Sequence, residues 1–427
     1  MKKRISLLLI GIMILQLTGC NSNIIPQIID KGPTKVEASD LTADVTPGVV
    51  DAVKLNEAFI DGQMEFAVQL LQQIVEEGKN TKENVLLSPA SAQMALAMVA
   101  NGANGQTKTE MEQVLAGGMP MEELNVFLYN YLLGLREGDS VKMANSIWFR
   151  DEEDRLTVEK AFLQTNADYY GANIYKSAFD EQTLKDMNVW VKEHTDGMID
   201  SILDKIPEEA VMYLINALTF EAEWQEEYEA TDIFDGTFTD ARGEKQKVEM
   251  MKSAEGICYE GDSELGVKKN YKGGQYSFVA LLPNEGIDIA DYVAGLDAEY
   301  LQQLLQNPSD KYGEVTLPKF SYAYKTLLND ALTAMGMPTA FSAGADFSRL
   351  GRSTRGNISI SRVLQKTFIA VDELGTKAGA VTSVEMKDEC CPMYDLTIRF
   401  ERPFVYMIVD NETNLPLFIG VLMNIEN

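Results

Sequence analysis

From Thr376 to Lys387 the chain alternates with a period of two. One set is Thr376, Ala378, Ala380, Thr382, Val384 and Met386, and every member is small or apolar. The other set is Lys377, Gly379, Val381, Ser383, Glu385 and Lys387, and it carries all the charges. Successive side chains of a strand point to opposite faces, so this stretch is written to lie in a sheet with one face buried. Asp388, Glu389, Cys390, Cys391 and Pro392 follow at once, which is the composition of an exposed loop. Gly375 and several small residues ease movement of the backbone at the other end. Two readings stand side by side: a permanent strand followed by a turn, or a segment exposed in one state and inserted as a strand in another.

The rest of the body reads as α+β. Phe66, Ala67, Leu70, Leu71 and Ile74 predict an amphipathic helix within 52–80. Ser88-Pro89 opens a second, with serine as N-cap and proline at the first helical position. Leu184, Met187, Trp190 and Val191 share one helical face, and His194 ends it as an ordinary helix histidine. The spacing predicts another helix over 325–336, closed by Gly336. Strand patterns cover 211–220, 276–282, 363–371, 396–400, 404–409 and 417–423. Helices crowd the first half and strands the second, which argues against a repeated βαβ sheet.

The N-terminus reads as an address. Lys2, Lys3 and Arg4 precede an apolar run too short to span a bilayer comfortably, and the run ends in Leu17-Thr18-Gly19-Cys20. This resembles the bacterial lipobox. The expectation is a signal peptide over 1–19, lipid on Cys20, a flexible tether over 20–51 and a folded domain over 52–427. Two or more acyl chains anchor a protein stably, so the body is expected on the outer face of a bacterial membrane, facing extracellular space.

Charge and composition remove several functions. With 37 Lys plus Arg against 65 Asp plus Glu, the net charge is −28, which repels nucleic acid and anionic lipid. A single histidine leaves no multi-His metal site, and neither a cofactor nor a metal is expected. After Cys20 only Cys258, Cys390 and Cys391 remain, too few for a disulfide framework. Adjacent carboxylates such as Glu226-Glu227 read as solvated charge rather than an acid–base pair, so an enzyme is not expected.

The run Glu373-Leu-Gly375-Thr376-Lys-Ala378-Gly379-Ala380 resembles the reactive-loop hinge of serpins, the suicide inhibitors of serine and cysteine proteases. Asn84 to Ser91, with Ser88 and Ser91, resembles the family's shutter segment, and Asn188 to Ile199 the helix across the main sheet. Asn216 to Phe220 with Trp224 resembles the central strand and breach tryptophan. Leu317-Pro-Lys319-Phe320, Ala345 to Ser348, Arg402-Pro-Phe404 and Asp410 to Gly420 match in order. Three positions depart from the family pattern: Gln365 stands where the shutter often has histidine, Leu374 replaces a commonly polar residue, and Gly379 a usual alanine.

The resemblance implies a serpin fold, with a large mixed sheet, smaller sheets, eight to nine helices and an exposed loop. It implies a monomer whose partner is a target serine or cysteine protease, trapped as an acyl-enzyme when the cut loop inserts into the main sheet. Lys319 and Glu373 would pair at the breach. Counting from Gly375 by the family's spacing places the reactive bond at Glu389-Cys390, with Lys387-Asp388 and Met386-Lys387 as alternatives. The competing reading is a non-inhibitory serpin acting as a surface binding module. Its hinge would be expected to carry charged or bulky inward residues, which this one lacks.

Overall fold

A computed structural model describes residues 36–136, 138–151, 155–376 and 393–425. The described residues form nine α-helices and three sheets of four or more strands. The main sheet runs in the order Ser39–Asp40, Asn173–Ser177, Val141–Arg150, Met212–Phe220, Arg362–Val371, Gly375–Thr376 and Ala222–Glu223, and Phe320–Leu327 also pairs with Arg362–Val371. A six-stranded sheet contains Tyr276–Pro283, Phe404–Asp410 and Pro416–Leu422. A four-stranded sheet places Leu396–Arg399 at one edge beside Gly313–Pro318, which pairs on its other side with Lys245–Glu255.

Two helices cover opposite faces of the main sheet. Pro89–Ala100 is buried at all twelve positions, which its alanines allow by keeping the helix thin. On the other face, Met187, Trp190 and Val191 of the helix Glu181–His194 pack with Trp148, Tyr213, Ile215 and Leu364 of the sheet. Each fully buried large side chain there contributes about 1.5–3 kcal/mol. His194 stacks on Trp190 with ring centres 4.3 Å apart.

The strand patterns at 211–220, 276–282, 363–371 and 404–409 match observed strands to within a residue. Three expectations are corrected. The helix read over 325–336 begins only at Asn329, because Lys325 to Leu327 complete the strand that pairs with Leu364 to Lys366. Ser88 precedes its helix but its side chain makes no cap, and its backbone N–H and carbonyl are bonded by the Gln365 side chain. The tether expected over 20–51 is not free from residue 36 onward. Ser39 and Asp40 pair with Lys176 and Tyr175 as an edge strand, and the buried Asp186 carboxylate accepts from the Glu37 and Ala38 N–H groups at 3.1 and 2.8 Å. Proline and charge spacing hid this, because the pairing partners lie over a hundred residues away.

Candidate functional site

The strands Met212–Phe220 and Arg362–Val371 run parallel, and their ladder extends from Arg362↔Tyr213 to Lys366↔Ala217. Among the described residues no pair joins these two strands above that point. The gap closes again at the top. Val371 pairs with Thr376, and Gly375 and Thr376 pair with Glu223 and Ala222. The sheet is thus zipped below and bridged above by the first residues of the hinge.

The top bridge is built on aromatic residues. Trp224 is fully buried and stacks on Tyr271, with ring centres 4.6 Å apart and planes at 8°. The Trp224 indole N–H donates to Asp372 O and its backbone N–H to Leu374 O, both at 2.8 Å. The Tyr228 N–H donates to Glu373 O at 3.0 Å. Thr376, only 1% exposed, has its Oγ1 2.5 Å from Tyr271 Oη. Lys319 Nζ lies 2.8 Å from Glu373 Oε2. Its bond to Lys319 holds the Glu373 carboxyl below its ordinary range against the opposing effect of burial. Behind the tryptophan, Lys269 pairs with Glu255 at 2.8 Å, and its ammonium sits 4.5 Å from the Tyr228 ring centre.

The lower cluster lies where the ladder is closed. Gln365 Nε2 donates to Ser88 O at 2.9 Å, and Gln365 Oε1 accepts from the Ser88 N–H at 3.0 Å. Ser91 Oγ donates to Asn216 Oδ1. Asn216 Nδ2 donates to Ser91 O at 2.9 Å and also to Asn145 Oδ1. All of these side chains are buried, and Gln365 and Asn216 face each other across the parallel register. A planar amide at 365 both donates and accepts, so it satisfies two backbone groups of the turn beneath the sheet.

The structure therefore brings Glu373, Gly375, Thr376, Lys319 and Trp224 together at one end, and Ser88, Ser91, Asn216 and Gln365 at the other. Cys20, Ala378, Gly379, Ala380, Met386, Lys387, Asp388, Glu389 and Cys390 lie outside the described residues. Sequence reasoning missed Tyr271, Asp372 and Asn145. Asp372 carries a signal, an Asp three residues before a glycine, and its Oδ1 accepts from the Leu374 and Gly375 N–H groups. Tyr271 and Asn145 have none, since their partners are remote in sequence.

The family model for serpins (serine protease inhibitors) matches residues 61–425. The chain belongs to the serpin family. Serpins are mostly protease inhibitors. The chain is similar to an uncharacterized serpin-like protein of Thermococcus kodakarensis, at 28% identity over 99% of each chain. It is also 29% identical to intracellular coagulation inhibitor 2 of Tachypleus tridentatus, over 83% of this chain and 88% of that one. Among solved structures it resembles the thermophilic serpin tengpin in its native state, with TM-score 0.87 and 44% identity, covering 91% of this chain and all of that one. Against the latent state of tengpin the TM-score is 0.77, with 88% of this serpin covered. The TM-score is thus higher against the native than against the latent form.

Proposed function

We propose that this serpin is a suicide-type inhibitor of serine endopeptidases, with cysteine endopeptidases as a further target class. A protease attacks the segment between Thr376 and Met393, forms an acyl-enzyme, and is trapped when the freed segment enters the main sheet. The observation that carries this reading is the partly zipped pair of parallel strands. A strand entering between Leu218–Phe220 and Thr367–Ala370 would gain partners on both edges, and its direction is already set by the Gly375–Thr376 rung. The small, uncharged set from Thr376 to Met386 supports it, because an unpaired inward charge would oppose burial. The reactive bond in this reading is Glu389-Cys390, with Lys387-Asp388 and Met386-Lys387 as secondary bonds. The mature protein acts as a monomer held by lipid on Cys20 to the outer face of a bacterial membrane.

The test is incubation with elastase-, trypsin-, chymotrypsin-, Glu-specific and papain-like proteases, followed by denaturing gels and intact mass. The expected result is a detergent-stable band at the summed mass with one enzyme, together with a peptide whose mass locates the bond. Cleavage by every enzyme with full residual activity, and no gain in heat stability after the cut, would falsify the reading.

A further inference from the structure

We infer that the Tyr271 hydroxyl is a positioning group for the loop: by bonding Thr376 Oγ1 it keeps the first rung of the inserted strand formed before any protease arrives. This rests on the insertion reading above. The rung is a true reversal of the chain. The Asp372 N–H donates to Gly375 O at 3.0 Å, and the Asp372 carboxylate caps the Leu374 and Gly375 N–H groups at 2.9 and 3.2 Å. Thr376 therefore runs antiparallel to Val371, the direction an entering strand must take.

Tyr271 is well placed to fix that reversal. Its ring is fully buried between the stacked Trp224 face and Phe220, whose ring centre is 4.9 Å away at 60°. The phenol cannot swing off without breaking this packing, so its hydroxyl is pre-aimed at Thr376 Oγ1, 2.5 Å away. Thr376 is itself informative. It opens an inward set that continues with alanines, where an aliphatic residue would bury equally well. A buried hydroxyl is costly without a partner, and here the partner is Tyr271. Zipping a strand is hardest at its first pair, where several dihedrals are fixed for few bonds. A rung formed in advance removes that step from the race between insertion and deacylation.

The experiment compares Tyr271→Phe, Thr376→Val and the double variant with the wild-type full chain. Tyr271→Phe keeps the ring packing and removes only a hydroxyl, and Thr376→Val replaces the hydroxyl with a methyl group of similar size. Two quantities are read: amide hydrogen exchange over residues 372–376 in the free protein, and inhibitor molecules consumed per protease trapped. Loss of one net hydrogen bond predicts, for either single variant, a rise of about five-fold in the exchange rate and in the excess over one of the inhibitor consumed per protease trapped. The double variant is expected to go no further, because both singles remove the same bond. Unchanged values in the singles, or effects that add in the double, overturn the inference while leaving insertion intact. A wild-type chain that is cut without becoming more heat-stable overturns the insertion reading, and the inference with it.

Discussion

One ammonium links two sheets: Lys319 Nζ is 2.8 Å from Glu373 Oε2 at the hinge and 3.3 Å from Glu249 Oε2 in the four-stranded sheet. Burial pushes the Lys319 ammonium down, but its bonds to Glu373 and Glu249 outweigh this and raise it overall. The Glu373 carboxyl is lowered, so its contribution is present above the unfolded value and is lost as pH falls through the folded one. The Glu373 side chain is 36% exposed, so solvent screening limits the pair to about 0.5–1 kcal/mol. Glu373→Gln should therefore lower the denaturant midpoint slightly at pH 7. At a pH low enough to protonate the wild-type carboxyl, the two midpoints should coincide. A difference that persists in acid would show that the carboxylate charge is not what matters.

Gln365 carries more. Its amide serves the Ser88 N–H and carbonyl in a site that is 2% exposed. The Ser88 carbonyl also accepts from the Ala92 N–H, but in the described structure the N–H has the glutamine as its acceptor. Gln365→Ala strands that donor and leaves a cavity, at a cost of about 2–4 kcal/mol. A thermal unfolding temperature within a degree of wild type would contradict this account of the lower cluster.

How much of this was legible in the sequence depends on the range of each interaction. Met212–Phe220, Tyr276–Pro283 and Phe404–Asp410 are strands buried at every position, and an uninterrupted apolar run announces them. The hinge was legible because Gly375 and the alternation beyond it are local features. Glu373 and Lys319 were brought together only by family resemblance, since no spacing rule joins residues on separate elements. Tyr271 was invisible for the same reason: its role comes from Trp224 and Thr376, which fold around it from opposite directions. Val141–Arg150 escaped notice because Lys142, Asn145 and Ser146 break its apolar run, although Asn145 and Ser146 are buried. The edge strand Ser39–Asp40 is only two residues long, and its anchor, Asp186, lies on a distant helix.

That anchor makes its own prediction. Asp186 is 3% exposed and accepts from Glu37 N, Ala38 N and Gln182 Nε2. Asp186→Ala removes all three bonds, two of which hold the incoming chain against the helix Glu181–His194. The segment 36–50 should then be cut by a dilute nonspecific protease several times faster than in wild type, with the body left intact. Equal cutting rates would mean that the Ser39–Asp40 pairing and the bonds made by Leu41, Thr46 and Gly48 retain the segment without Asp186.

Cys258 should be chemically silent in the folded protein. Burial, reinforced by Glu255 and Glu260, pushes its thiol up to about 11, and the sulfur lies beneath Gly313. Alkylation with iodoacetamide at pH 8, followed by peptide mapping, should leave Cys258 unmodified until denaturant is added. Because the folded thiol titrates above the unfolded one, its contribution to stability is complete at neutral pH and declines as pH rises toward 11. Native-state labelling at this position would show that the hairpin carrying Cys258 opens on the timescale of the reaction.

Gly375 tests the hinge most directly. Its backbone is not in the left-handed region, so conformational freedom is not the reason for glycine here. Space is the reason: a Cβ would stand 2.1 Å from Ala222 O and 2.8 Å from Glu223 Cα, both backbone atoms that cannot rotate aside. Gly375→Ala must therefore push Gly375–Thr376 away from Ala222–Glu223. That withdraws Thr376 from Tyr271 and breaks the rung. Amide exchange over 372–376 should rise by at least as much as in Tyr271→Phe, since the alanine removes backbone pairs as well as the side-chain bond. The core helices Glu57–Glu77 and Pro89–Ala100 should keep their protection, because neither touches the turn. If Gly375→Ala exchanges like wild type, the two strands have moved apart without losing their pairing, and the close approach at Gly375 is not what seats the hinge.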